Sequence, residues 1–124
     1  MAELSRSEQI LDCLRRLHSS TPDMEAAAVV HRSGLIMSST LPLGAVEDRV
    51  AAMSAAMIAL DERIAQELSR GRLLQTYIRG ENGYICMVAV GEEAVLTTMT
   101  RAGAMVGLVL HSMARTAAEL EQLL

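Results

Sequence analysis

The chain has 124 residues, a hydrophobic share of 51%, an aromatic share of only 2% and a formal net charge of −4. This length predicts a single domain over residues 1–124 that buries roughly two-thirds of the surface of its unfolded chain. Because no basic cluster is larger than Arg15–Arg16, the composition argues against a nucleic-acid-binding face. The scarcity of aromatic side chains argues against an aromatic-lined ligand pocket.

The cysteines, the histidines and the N-terminal segment exclude further classes of protein. Cys13 and Cys86 are isolated, and without a C-x-x-C pair no zinc or dithiol redox motif is expected. His18, His31 and His111 lie far apart in the sequence, so we predict no metal site. No apolar stretch reaches the roughly 20 residues that span a bilayer, and the N-terminus lacks a secretory signal pattern. We therefore predict a cytoplasmic protein with no membrane insertion.

The first third of the chain predicts a helix followed by a β-hairpin. Ser5 and Glu8 match a capping box at the start of a helix that ends near Ser19–Ser20. Two short apolar runs follow, at 26–31 and 35–40, separated by a polar three-residue turn. This spacing is typical of two antiparallel strands joined by a short loop.

The longest predicted helix runs from about Ala45 to Ser69, with Gly71 as its C-cap, and it has two apolar faces. One face is a stripe of large residues: Val46, Val50, Met53, Met57, Leu60, Ile64 and Leu68. The other is a patch of small residues: Ala51, Ala52, Ala55, Ile58 and Ala59. A surface helix normally has one apolar stripe. We therefore predict that the large stripe packs on the core and that the small patch is the interface of a homodimer.

Three strands and a helix are predicted in the second half of the chain, at 72–79, 84–90, 94–100 and about 102–124. The continuously apolar run 84–90 is typical of a central strand covered on both faces. The order α-β-β-α-β-β-β-α predicts an α+β domain with a five-stranded, mostly antiparallel sheet. We expect the long helix on one face of the sheet and the two terminal helices on the other.

Four segments carry a resemblance to a known family: AAAVVHRSGLIMSS, AAMSAAMIALDERIAQEL, IRGENGYICMVAVGEEAVLTTMT and AMVGLVLHSMARTAAELEQL. Together, and in this order, they resemble the Roadblock/dynein light chain family, especially its prokaryotic MglB-like branch. The resemblance covers nearly the whole chain and rests on the combination of segments. It implies homodimers or heterodimers whose sheets join edge to edge and whose central helices pack side by side. It also implies a Ras-like small GTPase as partner.

The sequence contains no catalytic pattern of its own. Adjacent carboxylates such as Glu47-Asp48 point about 100° apart on a helix, no G-x-S-x-G elbow is present, and a chain without lysine cannot form a P-loop. We therefore predict no enzyme activity and no cofactor. Candidate contacts with a GTPase lie at the ends of the long helix: Asp48, Arg49, Glu62 and Gln66.

Three functions stay open at this point. The first is a homodimeric regulator or binding platform for a Ras-like small GTPase, which would act by inserting an arginine or by pressing on a mobile switch loop. The resemblance favours the switch-loop mechanism, and the candidate arginines are Arg32, Arg49, Arg63, Arg70 and Arg79. The second is a structural adaptor in a larger assembly, without nucleotide-dependent binding. The third, a small-ligand sensor, is disfavoured by the lack of aromatic and convergent polar groups.

Overall fold

Three helices and five strands follow one another in the predicted order in a computed structural model that describes residues 4–41 and 45–124. They are α1 (Arg6–Ser20), β1 (Met24–His31), β2 (Ile36–Ser39), α2 (Ala45–Glu67), β3 (Gln75–Gly80), β4 (Gly83–Val90), β5 (Ala94–Thr100) and α3 (Val106–Glu121). The capping box at Ser5 and Glu8 is present, with both reciprocal hydrogen bonds formed. The predicted succession of elements is therefore confirmed.

The five strands form one antiparallel sheet in the spatial order β2-β1-β5-β4-β3. The central strand is β5, and the prediction that the run 84–90 occupies the centre is wrong, because β4 lies beside the edge strand β3. Strand β5 carries threonines that suggest a less buried strand. Its buried hydroxyls are nevertheless satisfied, since Thr97 donates to Ser54 Oγ at 3.0 Å and Thr98 donates to Met113 Sδ at 3.1 Å.

The helices cover the two faces of the sheet as predicted. Helices α1 and α3 lie on one face, over the larger part of the core, which includes Leu14, Leu96, Met113 and Leu120. Helix α2 lies on the other face, mainly over β2, β1 and β5. On that face the core consists of two smaller clusters, one around Ala51 and the other around Ile58. The domain is therefore a sheet between two helical layers of unequal size.

Helix α2 is rotated on the sheet relative to its predicted orientation. Ala51, Ala55 and Ile58 are buried in the chain's own core, whereas Ala52 and Ala59 are exposed. Ala51 packs in a cluster with Ala28 and Val30 of β1, where small side chains let the helix backbone lie close to the strand. Ile58 packs farther along the helix, in a cluster with Met87 and Val95. The assignment of Ala51, Ala55 and Ile58 to a dimer interface is therefore corrected. The assignment of the large-residue stripe to the core is corrected with it.

Helix α2 ends in a left-handed residue that is not glycine. Ser69 has φ 58°, and the N–H of Arg70 donates to the carbonyl oxygen of Ala65 at 2.7 Å. This bond spans five residues, as in a Schellman motif at a helix C-terminus. The C-cap predicted at Gly71 is thus formed two residues earlier, at Ser69.

Candidate interaction surface

The outward face of α2 exposes large apolar side chains in one line. Five of them are 38% to 64% exposed: Val46, Met53, Leu60, Ile64 and Leu68. Val50 and Met57 complete the line and are partly buried. These seven residues are here named the outer stripe, and at 1.5 Å per residue it is about 33 Å long. A line of exposed large apolar side chains of this length marks an interaction site.

The sheet beside α2 has an open edge and a partly uncovered face. Among the described strands, β3 pairs with β4 alone, so it is an edge strand. Ile78 of β3 and its cross-strand partner Ile85 of β4 are 43% and 37% exposed. Ile85 in turn pairs with Met99, which packs on the α2 side of the sheet. The uncovered isoleucines therefore lie on the same side of the sheet as the outer stripe, at an edge that is available for pairing.

Three charged residues flank the outer stripe on its solvent side. Arg49, Arg63 and Glu67 are exposed, and Arg63 Nε donates to Glu67 Oε1 at 3.0 Å. Within residues 4–41 and 45–124, the ion pairs do not include Arg49. The stripe is therefore bordered by an intrahelical ion pair near one end and, among these described residues, by an unpaired guanidinium near the other.

The four candidate GTPase contacts fall into two separate groups within one chain. Asp48 and Arg49 are exposed in the first turns of α2, whereas Glu62 and Gln66 lie near its other end. The two groups are about 20 Å apart along the helix axis. Gln66 is exposed, but Glu62 is half-buried and forms an ion pair with Arg32.

Arg32 ties the C-terminal half of α2 to two β-turns. Its guanidinium pairs with Glu62, its Nη2 donates to the carbonyl oxygen of Gly91 at 3.5 Å, and its backbone N–H donates to the carbonyl oxygen of Glu93 at 2.9 Å. A cleft of about 250 Å³ lies here, lined by Arg32, Glu62, Gln66, Arg72, Leu73, Ala89, Gly91 and Glu92. Because Arg32 is held inside the fold, it is a poor candidate for insertion into a partner. No pattern in the sequence predicts the Arg32–Glu62 pair, since its members are thirty residues apart.

Within the described ranges, the remaining reactive groups do not converge on a chemical site. Cys13 and Cys86 are buried, and burial raises the pKa of each thiol above its usual value, against the opposing effect of Arg16 on Cys13. A thiol with a raised pKa is a poor nucleophile at neutral pH.

In the part of the chain that the structure describes, no three metal-binding side chains come together. None of the helices described is long and apolar enough to cross a membrane.

The layered fold and the exposed apolar helix define an α+β domain of the Roadblock type. The model of the Roadblock/LC7 domain family matches residues 11–100, and the chain belongs to this family. It is 35% identical to the uncharacterized protein MJ1340 of Methanocaldococcus jannaschii over 103 residues, which cover 83% of this chain and 90% of the relative. It is 36% identical to MJ0310 of the same organism over 99 residues, which cover 80% and 86%.

Solved structures show the same fold at lower sequence identity. The gliding protein MglB from Thermus thermophilus superposes with a TM-score of 0.84 at 20% identity, over 99% of this chain and 93% of that chain. MglB from Myxococcus xanthus gives a TM-score of 0.83 at 19% identity, over 92% and 93%. At these identities the likeness establishes the fold alone. The predicted family and the predicted fold class are both confirmed.

Proposed function

We propose that the protein is a homodimeric, non-catalytic regulator or binding platform for a Ras-like small GTPase. The observation that carries the proposal is the outer stripe of α2, which is exposed beside the open β3 edge and the uncovered Ile78 and Ile85. Membership in the Roadblock/LC7 domain family supports it, because the resemblance implies dimers that bind small GTPases. A cytoplasmic location stays a prediction.

The first step of the proposed function is self-association. Apolar surface removed from water contributes about 25 cal/mol per Å², so covering the outer stripe stabilises a complex. When the β3 edges of two copies pair, the two sheets join and the second α2 lies near Ile78 and Ile85. One symmetric contact then covers the stripe, the open edge and the uncovered isoleucines of both copies.

The second step is docking of the GTPase on the paired helices. Asp48, Arg49 and Gln66 are exposed, and we propose that they contact the GTPase directly. Glu62 is half-buried against Arg32, so we assign it the smaller part of the contact. Such a surface combines apolar area with charged groups at its rim, as protein interfaces generally do.

We propose that the dimer acts by holding a mobile switch loop rather than by inserting an arginine. Arg32 is held by Glu62 and Gly91, and Arg63 is paired with Glu67. An inserted arginine raises GTP hydrolysis by about 10³- to 10⁵-fold, and it must reach the phosphates. A surface that orders a switch loop needs no such group.

Affinity capture with GDP and with a non-hydrolysable GTP analogue tests this proposal. The baits are the wild-type protein, a double variant with Asp48→Arg and Gln66→Arg, and Arg15→Glu on α1 as a control. We expect a small GTPase retained mainly with the GTP analogue by the wild type and the control, and lost from the double variant. Adding the protein to that GTPase then distinguishes an activator, which raises the hydrolysis rate, from a platform, which leaves it unchanged.

The adaptor hypothesis predicts another outcome of the same experiment. A stable set of other proteins, retained equally with both nucleotides and without a GTPase, contradicts the proposed regulator and supports a structural adaptor. Retention of the GTPase by the double variant contradicts only the assigned contact residues.

A further inference from the structure

We propose that the homodimer binds one amphipathic helix of a partner protein between its two α3 helices, on the face of the sheet opposite α2. This site is here named the α3 channel, and it is lined in both copies by Tyr77 of β3 and by Gly107, Ala114 and Ala118 of α3. The inference rests on the homodimer of the proposed function and adds a second binding site to it.

Strand β3 extends beyond the helical layer that covers its neighbours. Helix α3 packs on β4, and β3 is the next strand outward. Tyr77 lies on the α3 side of the sheet, because its cross-strand partner Cys86 belongs to the core under α1 and α3. Tyr77 is nevertheless 48% exposed, and its ring meets that of Tyr84 edge to face with 5.8 Å between the centroids. Strand β3 therefore forms a shelf with an aromatic surface beside α3.

The flank of α3 that borders this shelf consists of small, exposed residues. Gly107, Ala114 and Ala118 lie on one side of the helix, and a Cβ atom on Gly107 would meet no neighbouring atom within 4 Å. A cavity of about 320 Å³ separates this flank from the start of β3, and its lining includes Ala114, Leu74 and Val88. Because the distance between packed helices depends on the side chains at the contact, this flank allows a second helix to approach closely.

Pairing of two β3 edges joins the two shelves into one channel. Neighbouring strands lie about 4.8 Å apart, so three strand spacings, or about 14 Å, separate the two β4 strands and the α3 helices above them. Helices in contact have axes about 8–10 Å apart, so the two α3 helices do not touch each other. A single helix on the two-fold axis, about 4 Å above the plane of the two α3 axes, lies about 8 Å from each of them. The second copy therefore leaves a gap that one helix fills.

The residues around the channel indicate the chemistry of the helix that fits it. Tyr77 offers apolar surface to large apolar side chains on one side of such a helix. Charges of both signs lie at the two ends of the shelf, Arg79 with Glu81 and Arg72 with Glu121. The ion pairs within residues 4–41 and 45–124 do not include these four residues, so an incoming helix can pair with them. An amphipathic helix with an apolar face and flanks of mixed charge meets both requirements.

A helix in the α3 channel leaves the α2 face of the dimer open. The candidate GTPase contacts lie on α2, and the joined sheet separates them from the channel. The GTPase and the partner that supplies the helix therefore do not compete for one surface. A dimer with both sites occupied holds the two proteins together, which is the action of a binding platform.

Selection from a library of displayed helices tests the α3 channel. The library consists of peptides of about 18 residues, or five turns, with apolar residues at i, i+3, i+4 and i+7 and charged residues elsewhere. We expect selected peptides that bind the wild type at one per dimer in isothermal titration calorimetry. Ala114→Arg places an unpaired charge in the apolar contact, and we expect it to raise the dissociation constant by about tenfold or more. Ala59→Arg makes the same change at an exposed position on α2, and we expect no effect on binding.

The other results of this experiment each overturn a particular statement. A dimeric wild type that selects no peptide overturns the channel, as does a selected peptide that binds both Ala114→Arg and Tyr77→Ala as tightly as the wild type. Circular dichroism shows whether each variant is folded. Two peptides per dimer overturn the shared site, because each shelf then acts alone. Loss of binding in the double variant with Asp48→Arg and Gln66→Arg places the peptide on α2 and also overturns the proposal. A monomeric wild-type protein overturns instead the homodimer of the proposed function.

Discussion

Helices α2 and α3 lie on opposite faces of one sheet and differ in how many of their large side chains they bury. Helix α3 places large side chains such as Met113 and Leu120 in the core, whereas α2 buries Ile58 and the small Ala51 and exposes Met53 and Leu60. Helix α3 also packs against α1, while α2 is the only one of the described helices on its face of the sheet. Helix α3 therefore completes the fold of the chain, whereas α2 leaves most of its large residues exposed, as the proposed assembly requires.

We expect the largest effect from a charge introduced on the side of α2 that faces the sheet. Ala51→Arg forces a guanidinium into the small cluster with Ala28 and Val30, where an unpaired charge costs several kcal/mol. We expect the free energy of unfolding to fall by about 3–5 kcal/mol or the protein to be insoluble. Circular dichroism during urea unfolding measures the effect.

Ala59→Arg is the matched control on the same helix. Ala59 is exposed, and the sequence alone places it in the same small-residue patch as Ala51. We expect this variant to change the free energy of unfolding by less than about 0.5 kcal/mol. Equal effects of the two substitutions would contradict an orientation of α2 that buries Ala51 and exposes Ala59.

Truncation of a large residue on α3 should destabilise the chain itself. Leu120 is fully buried in the larger core cluster, so Leu120→Ala leaves a cavity under α3 and is expected to cost about 2–5 kcal/mol. The loss should be seen in urea unfolding at every protein concentration. A shift that appears only at low concentration would mean that Leu120 acts through assembly.

The same truncation on α2 should weaken assembly and leave the fold intact. Leu60 is 59% exposed in the single chain, so Leu60→Ala removes little from the core. In a symmetric dimer the leucine is lost twice, and we expect the dissociation constant to rise by roughly tenfold or more. Sedimentation velocity over a dilution series measures it, with circular dichroism as the control for folding. An unchanged dissociation constant would exclude Leu60 from the interface.

The sequence was sufficient for the order of elements and for the family, because turns and caps are local signals. The face of α2 that meets the sheet was not predictable in this way, since both faces are apolar. The choice depends on the three-dimensional surface formed by Ala28, Val30 and Met87 from two different strands. Likewise, the central position of β5 was not predicted, because its threonines are typical of a less buried strand. Their hydrogen-bond partners, which allow them to be buried, are distant in sequence. For the candidate site, the sequence pattern identified the residues of the outer stripe. It did not determine whether the stripe faces the core or the solvent.

The C-terminal ends of the two helices allow a smaller and sharper test. Helix α2 ends through Ser69 at φ 58°, whereas α3 ends at Gln122 with φ −70°. A left-handed conformation costs a side-chain-bearing residue roughly 1–2 kcal/mol and costs glycine almost nothing. Glycine also gains entropy in the unfolded chain, which offsets part of that relief. We therefore expect Ser69→Gly to stabilise the protein by about 0.5–1 kcal/mol and Gln122→Gly to destabilise it slightly. Urea unfolding at one fixed protein concentration measures both. Because the two sites differ in the sign of φ, a change of stability with the same sign in both variants would contradict the left-handed cap at Ser69.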